Sequence, residues 1–196
     1  MTKSLLTLLF SIALSTIAFA QAEIDDLKNS FEEYFQAITQ KENSKALDFM
    51  HPKLFETIPR EMILRGMESM QADTAVVTVI DSATINKVSE TLELDGVKYA
   101  LVNYSVKMHM TFVSHQSDSV NFASEAARFT NEVLTEQYGR KNVIYDQTKG
   151  TLDIKATNEM YVIKDPIYDG WKFLEKKDHM KSILEMILPK KVLQRL

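Results

Sequence analysis

The sequence predicts an α+β domain: N-terminal helices packed on a curved, mainly antiparallel sheet, with one inserted helix and a helical tail. Three observations lead to it. Apolar residues recur at three- and four-residue steps from Ile24 to Ile38, the spacing of one helix face. After Thr74 the pattern changes to β-branched runs, and residues 97–113 alternate apolar with polar, the period of a half-buried strand.

The 196 residues are 45% hydrophobic and 26% charged, a composition that excludes a disordered chain, a collagen-like repeat and a polytopic membrane protein. Twenty-three Lys and Arg against 27 Asp and Glu give a net charge of −4, so the electrostatic footprint of a nucleic-acid binder is missing. With no cysteine there is no disulfide framework, thiolate nucleophile or zinc–thiolate site.

Residues 1–20 read as a signal peptide. Lys3 supplies the positive start, Leu5–Phe19 the apolar stretch, and Ala18-Phe19-Ala20 a small-residue cleavage site before Gln21. The apolar stretch is shorter than the roughly 20 residues that span a bilayer as a helix. The expected product is an exported protein, periplasmic or extracellular, with no stable membrane insertion after cleavage. Residues 21–196 then form a single domain, since five Gly and four Pro leave little room for a linker.

The elements follow in order. Ile24, Leu27, Phe31, Tyr34, Phe35 and Ile38 stripe a first helix, and Glu23, Asp25 and Asp26 suit its first turn, where the dipole favours negative charge. Ser44 is placed to cap a short second helix carrying Ala46, Leu47 and Met50, which stops at His51-Pro52. Pro59 opens a third helix with Met62, Ile63, Met67 and Met70 along one side. Strands are expected at 75–80 and 84–94, and Asp95-Gly96 is a two-residue hairpin turn into the long strand 97–113. On that strand Ala100, Val102, Tyr104, Val106, Met108, Met110 and Phe112 share the buried face. Asn103, Ser105, Lys107, His109 and Thr111 share a wet one.

The segment 121–138 is expected as a helix striped by Phe122, Ala126, Phe129, Val133 and Tyr138, with an Arg128–Glu132 pair and Gly139 closing it. Strands return at 143–145, 151–157, 159–164 and 171–174, with Trp171 and Phe173 pointing inward. The chain ends in a helical tail whose apolar residues are Met180, Ile183, Leu184, Ile187, Val192, Leu193 and Leu196. Its Lys176, Lys177, Lys181, Lys190, Lys191 and Arg195 read as a solvated basic face.

No motif carries chemistry by itself. There is no Gly-rich phosphate loop, G-x-S-x-G elbow, H-E-x-x-H pair or Ca²⁺ loop, so no cofactor and no metal are expected. His109 and His115 stand about 20 Å apart along an extended strand. Only a tight reversal would bring them together with Asp118 around an ion. His51 reads as an imidazolium at a helix end, with a rim acid or base as the alternative, and His179 lies in a basic surface stretch. Asn103-Tyr104-Ser105 matches a glycosylation sequon but falls mid-strand. Tyr104 is the one polar side chain on the buried face of the long strand; Tyr34 can face the same space. The methionines, Met108 and Met110 included, fill either a core or an adaptable apolar pocket.

The helical opening Phe31-Glu-Glu-Tyr34-Phe35 with Ala46-Leu-Asp-Phe49-Met50-His51-Pro52, the hairpin around Asp95-Gly96 and the late Gly170-Trp171-Lys172-Phe173-Leu174 strand are similar to the nuclear transport factor 2-like superfamily. This is the cystatin-like cone, which includes SnoaL-like proteins and ketosteroid isomerases. The resemblance spans most of residues 23–175; the helix 121–138 and the tail from Lys176 depart from the minimal cone. It implies a curved sheet wrapped on a long helix with a pocket between them, and no particular activity. No position matches the isomerases' catalytic aspartates. Tyr104 could serve a ligand oxygen as tyrosines do in those enzymes.

These readings give a first expectation: an exported, non-catalytic domain that binds a small apolar ligand or a partner protein in the concave face of the sheet, through Tyr34, Tyr104, Met108, Met110 and Trp171. Two alternatives are a cofactor-free isomerase or dehydratase acting through Tyr34, Tyr104 and a rim histidine, and a homodimer joined through the outer sheet face with its pocket filled.

Overall fold

Helix α1 (Thr2–Thr39) lays Leu27, Phe31, Tyr34, Phe35 and Ala37 along one buried face. The structure, a computed structural model, describes residues 2–113 and 122–196, with side chains described for 21–113 and 123–196. Because α1 runs on from Thr2, Glu23 and Asp26 sit inside the helix and not in its first turn. Their charges are matched laterally, by Lys98 at 2.8 Å and Lys164 at 2.5 Å. No helix among the described residues is long and apolar enough to cross a membrane.

Helices α2 (Asn43–Asp48), α3 (Leu54–Thr57) and α4 (Arg60–Ala72) follow. Ser44 lies within α2 and does not cap it; its carbonyl and hydroxyl instead receive the Arg60 guanidinium. Along α4, Ile63 and Met67 are half-buried while Met62 and Met70 face solvent, so the expected single apolar side is split.

The sheet is antiparallel and open. Its strands are β1 (Val76–Val88), β2 (Leu92–Leu94), β3 (Val97–Phe112), β4 (Val143–Asp146), β5 (Thr151–Lys164) and β6 (Lys172–Glu175). The main order is β1-β3-β5-β4, with β2 also paired to β3 and β6 to β5. β1 is one strand across residues expected as two. Register shifts beside Asp81 and Asn86 insert bulges that bend it along β3. Likewise 151–164 is a single strand. Asp95 (φ 52°) and Gly96 (φ 78°) make the β2–β3 turn, which needs positive φ at both positions.

Even positions of β3 face α1, as the alternation predicts. Ala100, Val102, Tyr104 and Val106 join Phe31, Phe35, Met160, Val162, Trp171 and Phe173 in one core. Helix α5 (Phe122–Tyr138) covers the other end of this inner face, over Phe112, Val143, Leu152 and Ile154. It packs through Ala123, Ala126, Ala127, Leu134 and Tyr138. Phe129 and Val133 are exposed, because the helix rolls its small residues toward the sheet. The Arg128–Glu132 pair forms at 2.8 Å.

The outer face is wet over only part of its length. At its Tyr99 end, Tyr99, Tyr161, Ile163 and Leu174 are buried beneath α3, α6 (Lys181–Ile187) and α7 (Lys190–Arg195). The tail is therefore a second layer: Lys181, Lys190 and Lys191 are exposed while Leu184, Ile187, Leu188 and Val192 complete the core below. Lys176 and Lys177, expected on the same solvated face, turn back to Glu159 and Asn158.

Candidate functional site

The inner face carries a polar cluster where β3, β5 and β6 meet. Alternation along β6 places Glu175 on the same side as Phe173, beside Met160 of β5. Tyr104 of β3 lies in register with Asn158 of β5. The Tyr104 hydroxyl donates to Glu175 Oε1 at 2.5 Å, the short length typical of a hydroxyl on a carboxylate. The other oxygen, Glu175 Oε2, is buried and has no hydrogen-bond partner among the described residues.

Burial raises the Glu175 carboxyl above its ordinary value, against the hydrogen bond from Tyr104 and the nearby charge of Lys177. Three phenols respond to it. Burial, and then the Glu175 charge, push Tyr34, Tyr104 and Tyr138 upward, so all three stay protonated donors at neutral pH. Tyr34 is fixed by edge and tilted contacts to Phe35 and Phe173, at 5.1 and 5.2 Å between ring centroids. Tyr104 packs 5.6 Å from both Phe31 and Phe35. An apolar aromatic wall thus holds one carboxylate on a single O–H donor, Tyr104, with two further phenols within electrostatic reach, an arrangement that can bind a donor group or hold a proton.

The edge of β5 beside this cluster is open over part of its length. β4 pairs with β5 over Thr151–Ile154 and β6 over Met160–Ile163, leaving residues 155–159 without a strand on that side. A cleft of about 270 Å³ opens there, lined by Gln137, Tyr138, Asn158 and Lys177 among others. The Lys177 ammonium bonds Asn158 Oδ1 and its charge reaches Glu175, while neither Glu175 nor Tyr104 itself lines the cleft.

Among the residues singled out from the sequence, Tyr34 and Tyr104 are brought together around Glu175. Met108 and Met110 are half-buried at the far end, beneath α5. Trp171 is buried at the opposite end, its Nε1 donating to Asp26 at 3.1 Å with Lys164 over its ring. His51 is buried; its Nδ1 accepts the Lys53 amide and its ring meets Tyr168 edge-on. Burial and the Lys53 charge pull its pKa down to about 4, so it is a neutral acceptor and not a cationic helix cap. His109 bonds Asp153 at 2.7 Å on the outer face. His115 and Asp118, which only a tight reversal would bring to His109, lie outside the described residues. No group of three or more His, Asp or Glu among the described residues is placed to hold a metal.

Glu175, Asn158, Tyr138 and Lys177 are the members of the site that pattern reading missed. The signal for Glu175 was present: Trp171, Phe173 and Glu175 share one parity, so extending the last strand by one residue turns the carboxylate inward. No protein-family model matches the chain, and a search of curated proteins finds no match.

Proposed function

We propose that the mature chain is an exported, non-catalytic binding domain of the nuclear transport factor 2-like, cystatin-like cone type. It holds a small molecule on the concave face of its sheet, with Tyr104 and Glu175 as the polar anchors. The observation that carries this reading is Glu175 Oε2, a buried carboxylate oxygen with no hydrogen-bond partner among the described residues. Leaving such a group unsatisfied costs about 1–3 kcal/mol, and a ligand donor would recover that. The three phenols around it supply further polar contacts without adding charge.

Native mass spectrometry of the mature protein tests the reading. A co-purifying small mass is expected, and Glu175→Ala should release it while circular dichroism shows the fold retained. A protein that carries no small mass, or keeps it in Glu175→Ala, contradicts the reading.

A second reading is a cofactor-free isomerase or dehydratase, favoured by the buried Glu175 carboxyl on the Tyr104 hydroxyl, because burial raises its pKa and so makes it a better proton acceptor. In that case Glu175→Gln abolishes turnover of the bound molecule while leaving it bound.

A further inference from the structure

We infer that the cleft in the open edge of β5 takes a neutral, hydroxyl-bearing molecule about the size of one sugar ring. This rests on the binding reading above and names the chemistry of its ligand.

The cleft's charges cancel locally. Glu159 pairs with Lys176 at 3.2 Å, and Lys177 is held by Asn158 within electrostatic reach of Glu175. An anion would meet Glu159 and feel the Glu175 charge behind Lys177; a cation would meet two lysines. Neither sign of charge gains.

What remains is half-satisfied amides. Asn103 Oδ1 accepts from Asn86, Asn158 Oδ1 from Lys177, and Gln137 Nε2 donates to the Tyr138 hydroxyl at 3.1 Å. That leaves Asn103 Nδ2, Asn158 Nδ2 and Gln137 Oε1 without a protein partner among the described residues. All three line the cleft. Two donors and one acceptor match the hydroxyl group, which both donates and accepts. Tyr138 adds a ring against which the C–H face of a sugar can lie. The volume, about 270 Å³, falls just below the roughly 300–1,000 Å³ that encloses drug-sized ligands.

Ligand-observed NMR and calorimetry on the mature protein test this with the methyl glycosides of glucose, galactose, mannose and xylose. Glucose 6-phosphate, glucosamine and 2-naphthol serve as anionic, cationic and apolar comparisons. At least one neutral glycoside should bind, and both charged sugars should bind at least about fivefold more weakly. Gln137→Ala and Asn158→Ala should each weaken the glycoside about five- to tenfold, the worth of one hydrogen bond. Binding by none of the glycosides, equal binding by the charged sugars, or a glycoside affinity unmoved in both variants overturns the inference. If glycosides fail while a Glu175-dependent mass persists in native spectra, the cleft chemistry is wrong and the binding reading stands. If both fail, so does the binding reading.

Discussion

Glu175→Gln is expected to make the protein more stable at neutral and alkaline pH. Ionised Glu175 has one oxygen satisfied by Tyr104 and one buried without a partner. The amide is nearly isosteric, keeps an oxygen for the Tyr104 hydroxyl and removes the buried charge. Its NH₂ faces the unpartnered position, which reduces the gain. Taking the lower part of the roughly 1–3 kcal/mol attached to a buried unsatisfied group, the variant gains about 1–2 kcal/mol. For a domain of this size that is a Tm higher by about 2–8 °C. The sign with pH follows from the raised pKa: the native state holds the Glu175 proton more tightly than the unfolded chain. Stability is therefore full below the ordinary glutamate value, about 4.3, and is lost as pH rises through the native pKa. Thermal unfolding of both proteins, followed by circular dichroism from about pH 4 to pH 8, reads the difference. His51 cancels from that difference. A variant that is less stable at the alkaline end, or differs by the same amount at every pH, would refute the buried carboxylate.

Three further outcomes follow from the same geometry. His51 has its pKa lowered to about 4, so it supports the fold above its ordinary value of about 6.5 and loses that support as the pH falls toward 4. Urea unfolding across that window should show a stability that rises with pH by up to about 1.4 kcal/mol per unit more than in His51→Gln, since Glu175 contributes equally to both proteins. Gly96→Ala meets no neighbour within 4 Å but must hold φ at +78°, so it should cost about 1–2 kcal/mol through backbone strain alone. A cost near zero in chemical denaturation would mean the turn relaxes. Trp171→Phe removes the Nε1 donor to Asp26 and should cost about 1–2 kcal/mol, with Lys164 still pairing Asp26 and limiting the loss; denaturant midpoints check it.

Much of the layout can be read directly from residue order. The helical stripe through Phe31 and Phe35, the alternation of 100–112, the Asp95-Gly96 turn and inward Trp171 and Phe173 all match the structure, because each depends on local periodicity or local φ. What was not legible depends on distant partners. Tyr99 and Leu101 sit on the side of β3 expected to be wet, and only the returning tail reveals why that end is covered. The face of α5 was misjudged because Phe129 and Val133 outweigh Ala123, Ala126 and Ala127 in any hydrophobic pattern, whereas close packing on a sheet favours the alanines. Two of the five proposed ligand contacts, Tyr34 and Tyr104, fall at the site. Their partner lies 71 residues beyond Tyr104, and a charged residue at a strand end reads as solvated until its parity is followed.

The carboxyl-carbon NMR titration of Glu175 is the most direct measure of the proposed anchor. The carboxyl should titrate above the ordinary glutamate value, and higher still in Tyr104→Phe, where the hydrogen bond that favours the ionised form is gone. A carboxyl that titrates as in an unfolded peptide, and does so equally in Tyr104→Phe, would place Glu175 in water and leave the domain without the anchor proposed for it.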